Sequence, residues 1–201
     1  MAEDVYYVAL KAYIKEPNKK MIIWFLQLHF PYVSEKFNYI NKIDRGLMPK
    51  LPYLKRSDKN VFVNKRNLSL LAKFFIDMLT KGYLCAGLPF KVCEYIHPNP
   101  SEIMEAYTAN LSIVLYYVKK LTKILTGRIA ITSDHGEAFG EPLNKLSHIR
   151  VYGHPSRVRI PSLIRVPYLM VENNVSRHEA IRIALRDLIR LSTPQRIKGD
   201  K

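Results

Sequence analysis

An α/β domain, with a mostly parallel sheet sandwiched by helices, is what the sequence predicts. Three observations carry it. Residues 100–126 hold a helical apolar stripe that stops at Gly127, and the chain then climbs into the β-branched run Ile129-Ala130-Ile131. Met21-Ile22-Ile23-Trp24-Phe25-Leu26 is a continuous apolar run of the kind a strand covered on both faces requires. Val166-Pro167-Tyr168-Leu169-Met170-Val171 reads as a further strand, placed near an edge by its proline, and a capped helix follows it. With 201 residues, of which 48% are hydrophobic, the chain can bury one sizeable core, and a single domain over 1–201 is expected.

In chain order, residues 3–16 suit a short helix with an apolar stripe of Val5, Val8, Leu10 and Tyr13, broken at Pro17. The strand expected over 21–28 ends at Gln27-Leu28-His29. Residues 33–67 read as a basic insertion loop, in which Lys50, Lys55 and Arg56 flank Tyr53. A helix is expected over 68–80, closed by Gly82, and a Gly/Pro-punctuated connection over 83–98. Asn99, Pro100 and Glu102 are the cap signals of the long helix, whose stripe is Ile103, Tyr107, Leu111, Val114, Val118, Leu121 and Leu125. Residues 176–201 form the C-terminal helix and tail, with Ile181, Ala184, Leu185 and Leu188 facing inward.

A net charge of +15 attracts nucleic acid, anionic lipid or phosphorylated substrates without choosing among them. Cys85 and Cys93 match no metal or redox spacing and are expected as reduced, buried thiols. The first residues lack a signal-peptide pattern and no apolar run reaches membrane length, so a soluble, cytoplasmic protein is expected.

The chemistry concentrates between Arg128 and Pro155. The run Ile129–Ile131 leads into Ser133-Asp134-His135-Gly136-Glu137, which puts Asp134 and His135 at a strand's carboxyl end, where open α/β sheets gather ligands. A carboxylate beside an imidazole suits a divalent metal, and His154, nineteen residues after His135, supplies a third group. Asp-His-Gly alone is also common in turns and helix caps.

The longer pattern is more specific. SDHGEAFGE, then YGHP, then RVPYLMV resembles the C-terminal part of the sulfatase and alkaline-phosphatase superfamily, and His29-Phe30-Pro31-Tyr32 is similar to its earlier H-x-P-Y loop. The resemblance spans roughly residues 18–172, in family order. It implies an alkaline-phosphatase-like fold and metal-dependent hydrolysis of a phosphate or sulfate ester. Asp134, His135 and His154 then match metal ligands for a divalent ion (Zn, Ca, Mn or Mg), His29 and Arg157 the substrate pocket, and Glu137 a hydrogen-bonding support. Arg150 and Arg159 are further anion contacts on this reading. The family also places a metal-binding Asp and the nucleophile on an earlier strand and helix. The roughly twenty residues ahead of Met21 contain no such unit, and Gln27 stands where many relatives carry an acid. The chain is therefore expected to be a fragment lacking the nucleophile, with a second chain as the possible source of that part. The alternatives are a non-catalytic pseudoenzyme or subunit of a split hydrolase and, on charge alone, a basic nucleic-acid-binding module.

Overall fold

The computed structural model describes residues 1–43, 81–88, 92–93, 96–97 and 100–192. The expected helix over 68–80, the cap at Asn99 and most of the basic insertion lie outside the described residues. In order, the elements are α1 (Ala2–Lys15), a 3-10 turn (Glu35–Phe37), α2 (Asn38–Ile43), β1 (Tyr83–Ala86), α3 (Ser101–Ile124), β2 (Gly127–Thr132), β3 (Ala138–Pro142), β4 (Arg150–Gly153), α4 (Pro161–Ile164), β5 (Tyr168–Asn173) and α5 (Arg177–Ser192). The architecture is mixed α/β. The chain divides into two compact units: the first takes 1–29, 108–132 and 167–201, and the second takes 30–107 and 133–166.

In the first unit, β2 and β5 pair antiparallel from Gly127↔Asn173 to Thr132↔Tyr168. Its core joins Tyr6, Ala9, Leu10 and Tyr13 of α1 to Leu121 and Ile124 of α3 and to Ala180 and Ala184 of α5. The two alanines present no bulk, which lets α5 approach closely. The buried face of α1 is rotated from the expected stripe: Ala2, Tyr6, Ala9, Leu10 and Tyr13 are buried, whereas Val8 is exposed. Tyr6 wins the core because its hydroxyl has a partner there, donating to Asp187 at 2.6 Å. Leu185, expected inward, is likewise exposed.

The run expected as a buried central strand joins no ladder among the described residues. Met21, Ile23 and Phe25 pack on the first unit's core, while Ile22, Trp24 and Leu26 are 98%, 62% and 64% exposed. The expected two-sided burial is thus corrected to one-sided burial, because an uninterrupted apolar run does not reveal which face has a neighbour.

The second unit holds a three-stranded sheet in the order β1-β4-β3. β1 and β4 run parallel from Tyr83↔Arg150 to Ala86↔Gly153, and β3 pairs antiparallel to β4 with an irregularity between Phe139 and Glu141. Among the described residues, one parallel and two antiparallel pairings replace the mostly parallel sheet that was expected. Ala138, Val151, Ile160 and Leu163 form the core beneath the sheet.

Cys85 and Cys93 form a disulfide across eight residues, not the reduced thiols expected. The spacing alone gave no sign of this, because it is β1 that turns Cys85 toward the short helical segment carrying Cys93. Replacing both by Ala should lower stability by about 2.5 kcal/mol, the loop-closure entropy restored to the unfolded chain. Urea denaturation of the double variant measures it, and an unchanged midpoint would refute it.

Candidate metal centre

Two segments of the second unit, each following a strand, build the site. β2 hands over at Thr132 to the loop 133–137, and β4 hands over at Gly153 to His154. The loop is fixed by the Gly136 amide, which donates to the Leu163 carbonyl at 2.9 Å. A Cβ on Gly136 would lie 1.8 Å from the Ser162 carbonyl oxygen, so only glycine lets the loop lie against α4. On the other strand, the His154 amide donates to Ala86 at 2.9 Å. The His154 ring lies over Gly87, where a Cβ would come within 2.2 Å of it.

The rings of His135 and His154 stack, with centroids 4.5 Å apart and planes inclined by 28°. Each imidazole is oriented through Nδ1. His135 Nδ1 is 2.9 Å from the Gly136 carbonyl oxygen, which can only accept, so this nitrogen carries the proton. His154 Nδ1 donates to Glu137 Oε2 at 3.0 Å. In both rings the lone pair then belongs to Nε2, and a carboxylate or carbonyl behind the other nitrogen is the arrangement metal-binding histidines use. The Glu137 hydrogen bond also holds the His154 imidazole above its ordinary range, against the opposing effect of burial. The same carboxylate, with burial as the larger cause, pushes the Tyr32 and Tyr107 phenols up.

His29 closes the opening segment of the first unit and is joined by one peptide bond to Phe30. Its backbone is held by Asn110 of α3, whose Nδ2 donates to the Gln27 carbonyl at 2.9 Å and, at 3.5 Å, to that of His29. Asn110 is fully buried, the one buried polar side chain among the described residues. In the second unit the His135 and His154 rings, stacked with centroids 4.5 Å apart, are the pair that could contribute ligands to a metal ion.

Of the expected ligands, His135 and His154 lie together in the second unit, while Asp134 is an exposed residue whose Oδ1 accepts from the His135 amide at 3.1 Å. Asp134 Oδ2 stays 3.8 Å from His135 Nε2. A carboxylate one residue before a histidine is readily taken by that residue's own backbone, which spacing does not reveal. Arg157 is exposed and does not line the cavity of about 300 Å³ beside the rings; His135, His154, Pro155, Ser156, Val158, Leu163 and Ile164 do. Asn110 and Gly87 escaped the sequence reading. The signal for Asn110 was available: an amide sitting among the apolar positions of the long helix's stripe. Gly87 carried no comparable signal.

No protein-family model, curated protein or solved structure matches the chain.

Proposed function

We propose that the chain is the metal-binding part of a sulfatase-like hydrolase of phosphate or sulfate esters, with an alkaline-phosphatase-like fold. The observation that carries the metal reading is the stacked pair His135 and His154 in the second unit, each ring held through Nδ1. Imidazole ligands favour zinc or another nitrogen-preferring ion over calcium or magnesium, which take oxygen ligands. A divalent ion held there would supply Lewis-acid stabilisation of ester oxygens. The chain's own residues would do the rest: Glu137 fixes His154, Gly136 O fixes His135, and Val158, Leu163 and Ile164 offer an apolar wall to an aryl or alkyl ester. The order of SDHGE, YGHP and HFPY supports the superfamily assignment.

Cobalt(II) titration followed by visible absorption tests the metal reading, because tetrahedral coordination by nitrogen gives a distinctive band. His135→Ala should abolish the band, whereas His178→Ala, at an exposed position on α5, should preserve it. Equal loss in both variants, or in neither, would sink the site. Glu137→Gln should weaken binding by about 10- to 100-fold without abolishing it, since it removes a supporting charge and not a ligand.

Turnover of aryl phosphate and aryl sulfate tests the hydrolase reading. The resemblance places the nucleophile in a segment that residues 1–201 do not show, so this chain alone should be nearly inactive and should gain metal-dependent turnover when that segment is supplied. A second reading, a non-catalytic subunit completed by another chain, is favoured by the exposed apolar side chains Ile22, Trp24 and Leu26. Metal binding without turnover in the completed assembly would select it.

A further inference from the structure

A second cavity, of about 470 Å³, opens in the same unit at the opposite end of β4. Arg150 begins the strand and His154 follows its end, so the two sites are separated by about 13 Å of strand. Gly82, His97, Pro100, Gly140, His148 and Arg150 line this cavity, together with Tyr152. No carboxylate is among its described lining residues.

The cavity is firmly built. The Tyr152 hydroxyl donates to the His97 carbonyl at 2.9 Å, and the His97 ring packs against Tyr83 with centroids 4.6 Å apart. The Arg150 amide donates to Gly82 O at 2.8 Å and its Nη1 to Gly140 O at 3.3 Å. That holds the guanidinium at the rim and leaves most of its five donors for other acceptors. His97 Nδ1 is buried and has no hydrogen-bond partner within the described protein, an arrangement that costs free energy. Burial, followed by the nearby Arg150 charge, holds the His97 imidazole below its ordinary range. At neutral pH it is a neutral ring offering one N–H.

We propose that this cavity binds the oxyanion head of a small phosphorylated or sulfated organic molecule, with Arg150 as the charged fork and His97 and His148 as supporting donors. A guanidinium with flanking imidazoles and no opposing carboxylate suits a tetrahedral oxyanion. The volume exceeds what the head alone fills and lies in the range of small-molecule pockets, so the head carries an organic group. The inference does not depend on the metal reading.

The test uses the full chain in EDTA, which removes any contribution from a metal. Inorganic phosphate and phenyl phosphate are titrated at constant ionic strength while the histidine ring resonances are followed by NMR. Saturable shifts of His97 and His148 are expected, with phenyl phosphate binding more tightly than inorganic phosphate. Arg150→Gln should weaken binding at least tenfold, and His148→Gln, at an exposed position, several-fold. Arg165→Gln, an exposed charge outside the cavity, should leave binding unchanged. Equal weakening by Arg150→Gln and Arg165→Gln would reduce the effect to the net positive charge and overturn the proposal. So would non-saturating shifts, or a His148→Gln variant that binds as the parent does. If Arg150→Gln does not fold, the His148→Gln and Arg165→Gln pair decides.

Discussion

Gly136→Ala should destabilise the chain by about 3 kcal/mol or more and remove cobalt binding with it. The added methyl would sit 1.8 Å from the Ser162 carbonyl oxygen and 3.2 Å from the Leu163 Cα. Backbone on both sides must move, because neither obstacle is the far end of a flexible side chain. Movement also costs the Gly136–Leu163 hydrogen bond and carries His135, the preceding residue, away from His154. Thermal denaturation and cobalt absorption measured on the same sample give both halves. A variant within about 0.5 kcal/mol of the parent, with its band intact, would show that the loop does not need this contact.

Asp187→Ala should cost about 2–3 kcal/mol, the second-largest effect expected of a single substitution here. The Asp187 carboxylate is only 12% exposed and takes a hydrogen bond from the Tyr6 hydroxyl at 2.6 Å and an ion pair from Lys120 at 3.2 Å. Lys120 also lies 4.5 Å from the centre of the Tyr6 ring. The three residues tie α1, α3 and α5 together, and the substitution leaves a buried phenol without its acceptor. Burial alone would raise the carboxyl of Asp187, but Tyr6 and Lys120 outweigh it and hold it below the usual carboxylate range. A depressed folded value stabilises the protein above the unfolded carboxylate range, near pH 4, and that contribution is lost as pH falls through the folded value. Stability of the parent should therefore decline in acid more steeply than that of Asp187→Ala. Parallel acid profiles from circular dichroism would contradict this assignment.

The legible parts of the chain were those where a local pattern has one structural solution. A capped apolar helix, a glycine and a β-branched run gave α3 and β2 to within about two residues at each end, strand-end placement drew notice to His135, and the YGHP pattern to His154. What stayed hidden depended on neighbours. Residues 21–26 are apolar at every position, so the sequence could not say that Ile22, Trp24 and Leu26 would face outward. Strand direction was hidden too, because β2 is equally apolar whether its partner β5 runs parallel or antiparallel to it. Cys85 and Cys93 lacked a recognisable spacing, and only the register of β1 reveals their pairing. The hydrogen bond from the His135 amide to Asp134 was hidden as well, because a contact between a loop side chain and the backbone is not encoded by spacing.

The parallel pairing of β1 with β4 also governs the order in which the protein can be made. Ala86 ends one strand and Arg150 begins the other, so 64 residues must be synthesised before β1 meets its hydrogen-bonding partner. At the usual rate of about 5–20 residues per second, that is an interval of roughly 3–13 seconds on the ribosome. Throughout it the nascent chain carries an unmatched row of amides and carbonyls at residues 83–86, with Tyr83 and Leu84 still uncovered. His154 takes its place only after that interval, since its amide docks on Ala86. The sheet of the second unit is thus completed only after β4 has been made, and until then β1 is a strand without its partner.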